Sequence, residues 1–91
     1  MKKIKINAKD YEVVEEYKNG LEIELLNEYM TDYFEQYDYV LGDWSYGKLR
    51  LKGFCSKDNK IFNNLNDYNK VKEYIKDYCS YQCKYFIIKK L

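Results

Sequence analysis

The chain of 91 residues has no proline and no histidine, and its sixteen basic residues include a single arginine. Without histidine there is no imidazole to serve as a general base, to ligate a metal ion or to change charge near neutral pH. Three cysteines alone make an incomplete zinc set, and a cysteine nucleophile would lack its usual imidazole partner. Neither a glycine-rich phosphate loop nor a Gly-x-Ser-x-Gly motif is present. We therefore predict that the protein is not an enzyme and uses no cofactor and no metal ion.

Long hydrophobic runs are also missing. No stretch approaches the roughly 18 apolar residues of a transmembrane helix, and no apolar run follows the basic start MKKIKIN, as it would in a signal peptide. We expect a cytoplasmic protein with no membrane partner and with reduced cysteines. Cys79 and Cys83 are interpreted as structural thiols, or as a redox pair if both are exposed.

Aromatic residues are abundant: twelve Tyr, four Phe and one Trp make up 19% of the chain. They supply large apolar areas to the core of a short chain, which we interpret as one domain over residues 1–91.

Charge is uneven along the sequence. Residues 1–46 hold five Lys and eleven acids, a net charge of −6, whereas residues 47–91 hold eleven basic residues and four acids, a net charge of +7. This asymmetry predicts a surface of two signs.

Hydrophobic periodicity predicts the element order β-β-α-β-β-α-β. The predicted elements are strands at 2–7 and 11–17, a helix from Asn19 with Glu22 at capping-box spacing, strands at 37–44 and 48–55, a helix capped by Asn66 or Asp67, and a buried strand at 85–88. The order predicts an α+β domain in which two helices cover one face of an antiparallel sheet and leave the other partly open. Without the first strand, the order allows a ferredoxin-like arrangement.

The densest cluster of special residues is the hairpin YDYVLGDWSYGKLRLKGF, from Tyr37 to Phe54. With a turn at Ser45-Tyr46, Val40 would face Leu51 on an apolar face directed towards the helices. The other face would interleave rings and cations, and its members and rim are the candidate binding residues Tyr39, Asp43, Trp44, Tyr46, Lys48, Arg50 and Lys52. In this register Lys48 would be opposite Asp43, with Arg50 on its diagonal.

Each of these residues has a structural and a functional interpretation. The face is either a solvated surface with cross-strand pairs or a ligand platform on which rings stack on bases and cations hold phosphates. Arg50 either holds Asp43 and the turn in place or binds a phosphate or carboxylate. Trp44 is either a packing anchor or an interface hot spot. Gly47 is the best candidate for a positive φ.

Two motifs carry a resemblance to a known family. The segment GDWSYGKLRLKGF, and the later Tyr78-Cys79 followed by Cys83-Lys84-Tyr85-Phe86, resemble the YutD family of small proteins from low-GC Gram-positive bacteria. Ser45 and Gln82 stand where that pattern would have glycine. The resemblance covers roughly residues 1 to 90 and implies no catalytic residue.

Two functions remain open at this point. The first is a non-catalytic nucleic-acid or ribonucleoprotein module that uses Tyr39, Lys48, Arg50 and Lys52. The second is a protein adaptor or inhibitor that docks a larger protein through the Trp44-Tyr46 tip or through the acidic first helix. The same face could also form a homodimer.

Overall fold

A computed structural model describes residues 2–78 and 83–91 of the chain. Its elements are β1 (Lys2–Ile6), β2 (Lys9–Tyr17), α1 (Ile23–Tyr29), α2 (Asp32–Glu35), β3 (Tyr39–Ser45), β4 (Lys48–Phe54), a 3₁₀ turn (Tyr68–Lys70), α3 (Val71–Tyr78) and β5 (Tyr85–Lys90). The predicted α+β class and the order of strands and helices are confirmed. Asp67 caps the 3₁₀ turn ahead of α3, with its side chain accepting a hydrogen bond from the N–H of Asn69.

The five strands form one antiparallel sheet in the order β1-β2-β5-β3-β4. The last strand in sequence, β5, lies in the middle of the sheet. Its apolar run Phe86-Ile87-Ile88 is buried, as expected for a central strand without polar alternation. The two edges of the sheet are β1 and β4.

The helices pack on opposite faces of the sheet. The first core contains Leu26 of α1 together with Phe86 and Ile88, and the second contains Val71 of α3 together with Ile87. The prediction that both helices cover one face is wrong, and so is the ferredoxin-like arrangement that depended on it. The reason is β5, because successive residues of a strand point to opposite faces and an apolar run therefore needs a cover on each side.

The predicted first helix is shorter than expected and divided. Asn19 adopts a left-handed backbone with φ 57°, so the helix begins only at Ile23, after a Glu22 cap that makes no side-chain hydrogen bond. It ends at Tyr29, the next residue Met30 is extended, and α2 follows as a separate turn. The Asn7 side chain donates to the Met30 carbonyl oxygen at 2.8 Å, while Asn27 Oδ1 accepts from the Asn7 N–H at 3.0 Å. The turn between β1 and β2 thus holds the end of α1.

The β3–β4 hairpin is displaced by two residues from the predicted register. Asp43 lies opposite Arg50, Leu41 opposite Lys52, and the turn is Tyr46-Gly47. Both turn residues have positive φ, 52° and 75°, as a two-residue hairpin turn requires, which confirms the prediction for Gly47. Because a shift of two residues preserves the alternation of side chains, the predicted composition of each face is unchanged.

Candidate functional site

The predicted basic and aromatic face of the hairpin is covered by the 3₁₀ turn and α3. Tyr39 stacks on Tyr68 with ring centroids 3.6 Å apart and an interplanar angle of 7°. Lys52 Nζ lies 5.2 Å from the Phe54 ring centroid and 5.6 Å from that of Tyr74. The expectation that no helix covers this face is therefore wrong at Tyr39 and Lys52, which contact rings of the same chain, whereas Lys48 and Arg50 remain exposed.

Arg50 is held by a buried carboxylate. Its Nε donates to Asp43 Oδ1 at 3.0 Å and its Nη2 to Asp43 Oδ2 at 2.7 Å, and Nη2 also donates to the Tyr78 carbonyl oxygen at 3.2 Å. The hydrogen bond from Arg50 to Asp43 raises the pKa of the guanidinium. Asp43 is 4% exposed, whereas the Arg50 side chain is 46% exposed. The pair has the planar, two-bond geometry that only arginine can offer, and it orients the guanidinium at the surface.

Trp44 joins the hairpin to the segment that leads into α1. Its Nε1 donates to the Gly20 carbonyl oxygen at 2.8 Å, and its ring packs against the first core. Lys84 Nζ lies 4.4 Å from the ring centroid, within the range of a cation–π contact. The indole therefore serves as a packing anchor.

The tip of the hairpin presents a free aromatic ring. Tyr46 is 99% exposed, and Lys48 beside it is exposed as well. A cavity of about 300 Å³ lies next to the turn, and we call it the hairpin-tip cavity; it is lined by Trp44, Ser45, Tyr46, Arg50 and Tyr78. Three of the seven predicted binding residues thus line one cavity.

A second cavity of about 400 Å³ separates β4 from α3, and we call it the strand–helix groove. Its lining residues are Lys52, Phe54, Asn64, Leu65, Lys70, Glu73, Tyr74, Asp77 and Tyr78. Leu65, 83% exposed, and Tyr78, 63% exposed, were not predicted as surface contacts. Tyr78 continues the helical spacing of the apolar residues Val71, Tyr74 and Ile75 in α3, a pattern typical of a packed side. The sequence feature that could have predicted the exposure of Leu65 is its position as a single leucine within the polar segment Asn63-Asn64-Leu65-Asn66.

The acidic surface is on the other side of the sheet. Glu22, Glu24 and Glu28 border a cavity of about 460 Å³ along α1, with Ile23 and Leu25 between them. Because α1 and α3 cover opposite faces, these carboxylates do not border the hairpin's basic face. The acidic surface along α1 and the basic surface of β4 therefore lie on different sides of the sheet.

None of the described cysteines lines these cavities. Cys55 is a buried free thiol whose pKa is raised by burial. Cys83 is disulfide-bonded, so the expectation of a reduced thiol is wrong at this position, and the prediction for Cys79 lies outside the described residues. Residues 2–78 and 83–91 contain no group of three or more potential metal ligands, and none of their helices is long and apolar enough to cross a membrane.

Comparison with known proteins gives one consistent result. Residues 5–89 match the family described as "Putative antitoxin YutD-like". "Putative antitoxin YutD" of Bacillus subtilis (strain 168) is 36% identical over 88 residues, which cover 97% of either chain. The solution NMR structure of protein yutD from B. subtilis matches with a TM-score of 0.80 and 35% identity, covering 100% of this chain and 83% of that one. The chain therefore belongs to the YutD-like family.

Proposed function

We propose that this protein is a non-catalytic inhibitor that binds a larger protein through the hairpin-tip cavity. The observation that carries the proposal is the grouping of Tyr46, Tyr78 and Arg50 around that one cavity. Tyrosine and arginine are enriched among the residues that dominate protein–protein binding energies. The arginine is oriented by Asp43 before any partner arrives, which lowers the entropy lost on binding.

The covered face favours a protein partner over a nucleic acid. A single-stranded nucleic acid needs several free rings in a row on a basic groove. Here Tyr39 is stacked on Tyr68, and Lys52 lies against Phe54 and Tyr74. One free ring at a hairpin tip fits a protein pocket better than a base-stacking platform.

The names of the relatives also support an inhibitory role. The family and the B. subtilis protein are both described by the words "Putative antitoxin", and an antitoxin acts by neutralising another molecule. A small domain without recognisable catalytic motifs would neutralise its target by occupying it. We extend this role to the present chain as part of the proposal.

The test is affinity purification of the tagged protein from its native cells, with and without nuclease. We expect a stoichiometric protein partner that survives nuclease treatment and is lost with Tyr46→Ala. Tyr29→Ala is the matched control, because Tyr29 is an exposed tyrosine on α1, away from the tip. Equal retention by both variants would contradict the use of the hairpin tip.

A nucleic-acid function is the second candidate, supported by the exposed Lys48 and Arg50 beside Tyr46. It predicts that RNA is retained, that associated proteins are released by nuclease, and that affinity falls steeply with salt. Retention of RNA that depends on Lys48 would replace the inhibitor proposal. A homodimer that buries Tyr46, detected by light scattering, would also replace it.

A further inference from the structure

The strand β4 is an edge of the sheet, and its outer backbone groups can be assigned. In a hairpin closed by the two-residue turn Tyr46-Gly47, Ser45 and Lys48 form a hydrogen-bonded pair, and such pairs alternate along the ladder. The N–H and C=O groups of even-numbered residues in β4 therefore point towards β3. Those of Leu49, Leu51 and Gly53 point outwards, away from the sheet.

The chain itself confirms this alternation at the next odd-numbered residue. Cys55 N–H donates to the Asn66 carbonyl oxygen at 2.7 Å, and the Cys55 carbonyl oxygen accepts from Tyr68 N–H at 3.0 Å. This contact is an isolated parallel bridge between Cys55 and Asp67. The chain thus begins to add a sixth strand to the β4 edge and then turns into α3. From Leu49 to Gly53 the outer groups have no hydrogen-bond partner within residues 2–78 and 83–91.

The side chains along this edge define the chemistry of an added strand. On the α3 side of the sheet the edge carries Lys48, Arg50 and Lys52, and on the other side it carries the half-buried Leu51 between Leu49 and Gly53, which are buried. Strand β4 contains no acid. The carboxylates near it are Asp43, which is paired with Arg50, and Glu73 and Asp77 on the far wall of the strand–helix groove. A neighbouring strand with carboxylates on one side and aliphatic side chains on the other would match both rows.

The same charges disfavour a second copy of this chain as the occupant. Two β4 strands paired antiparallel about Leu51 would bring Lys52 of one copy opposite Arg50 of the other. Like charges directly opposite each other destabilise a sheet, and lysine on an edge strand is a common protection against self-pairing. The same lysine and arginine side chains would instead attract the carboxylates of an acidic segment from a different protein.

We propose that the β4 edge from Leu49 to Gly53 takes up an extended segment of the partner protein, with alternating acidic and apolar residues, as an added strand of the sheet. Main-chain hydrogen bonds supply affinity in this binding mode, and the flanking side chains supply selectivity. The incoming side chains on the α3 side would enter the strand–helix groove beside Lys52 and Lys70. This inference rests on the proposed function and identifies the kind of partner segment.

The probe is a synthetic eight-residue peptide of alternating Glu and Val, compared with the same peptide carrying Lys in place of Glu. Amide chemical shifts and hydrogen-exchange rates of the full chain are followed by NMR. We expect the Glu peptide to shift and protect the amides of Leu49, Leu51 and Gly53, and to bind at least about fivefold more tightly than the Lys peptide.

Two pairs of variants separate the contribution of the backbone hydrogen bonds from that of the charge. Leu51→Pro removes one outward N–H without touching the ladder to β3, and Leu51→Ala is its control for the lost side chain. We expect the proline variant to bind the Glu peptide about five to ten times more weakly than the alanine variant. Lys48→Glu should weaken binding, whereas Lys60→Glu, the same change in the exposed loop after β4, should not.

Equal affinity for the two peptides, perturbation of other amides, or equal binding by the proline and alanine variants would overturn the proposal. Protection of the β4 amides in the protein alone, together with a dimer in light scattering, would overturn it in favour of a second copy. If the natural partner is lost with Tyr46→Ala but bound equally by Leu51→Pro and Leu51→Ala, the inhibitor function stands and the added strand does not. If none of these variants affects the partner, both proposals fail.

Discussion

At the residue level, Arg50 has a structural role and is also exposed at the proposed site. It satisfies Asp43, a carboxylate that is almost fully buried, through two hydrogen bonds. Loss of the guanidinium leaves a buried charge without its partner, and stability falls along with any binding.

We expect Arg50→Met to lower the free energy of unfolding by about 2 kcal/mol, because Asp43 would remain charged and unpaired. Adding Asp43→Asn should recover part of this loss, since the buried charge is then removed. Urea denaturation of the single and double variants measures both effects. Lys48→Met, an exposed change in the same strand, is the control. A double variant no more stable than Arg50→Met would show that the buried charge is not the cause.

Glu15 makes the stability of the protein depend on pH. Burial acts to raise its pKa, but hydrogen bonds from Lys72 and Tyr85 outweigh burial and hold the pKa below the ordinary 4.5. Burial, together with the hydrogen bond to Glu15, raises the pKa of Tyr85 to about 12. Because the folded state binds the Glu15 proton less readily than the unfolded state, the stabilisation is complete above pH 4.5. It is lost as the pH falls through the lowered value.

Glu15→Gln should therefore be less stable than the parent at pH 7, and the gap should close as the pH is lowered below 4. Thermal or urea unfolding at several pH values provides the comparison. Glu24→Gln, which removes an exposed carboxylate with no hydrogen bond within the described residues, should show a smaller gap. A gap for Glu15→Gln that is independent of pH would contradict this account.

At the scale of the element, the hairpin β3–β4 shows which features a local pattern can predict. The alternation from Tyr39 to Ser45 and from Lys48 to Phe54 correctly assigned each side chain to its face. The register depended on which residues occupy the turn, and Tyr46 occupies it with φ 52°, a conformation that few non-glycine residues adopt. Sequence favoured Ser45-Tyr46 because nothing local marks tyrosine as a left-handed residue.

The hairpin also contains a glycine that no turn requires. A Cβ added to Gly42 would lie 2.1 Å from the Phe86 ring, whereas one added to Gly47 would meet nothing within 4 Å. We expect Gly42→Ala to cost about 3 kcal/mol of stability through overpacking. Gly47→Ala, which only strains a left-handed turn with φ 75°, should cost about 1 kcal/mol. Denaturation midpoints would decide, and the reverse order of the two costs would contradict the packing seen at Phe86.

At the scale of the whole molecule, one sheet separates two cores. Leu26 packs in the core beneath α1 and Val71 in the core beneath α3. Adjacent residues of β5, Phe86 and Ile87, belong to different cores. Neither core can be lost without releasing the strand that serves both, so the two faces should unfold together.

We expect Leu26→Ala to lower stability by about 3 kcal/mol and Val71→Ala by about 2 kcal/mol, with one transition in each case. Trp44 fluorescence reports on the first core and far-ultraviolet circular dichroism reports on the whole sheet. The two signals should change at the same urea concentration in the parent and in both variants. Separate transitions in Val71→Ala would mean that α3 detaches by itself.

The element order, the α+β class, the faces of the hairpin and the resemblance to the YutD-like family could be predicted from the sequence, which left the cap before α3 open between Asn66 and Asp67. Each of these depends on local periodicity or on short motifs. The fold was needed to learn that α1 and α3 cover opposite faces, that Tyr39 and Lys52 contact rings of the same chain, and that β4 is an edge strand whose outer groups from Leu49 to Gly53 have no hydrogen-bond partner among the described residues. The physical reason is that strand neighbours and helix placement depend on contacts between residues far apart in the chain, such as Val40 with Ile88, which no local pattern records.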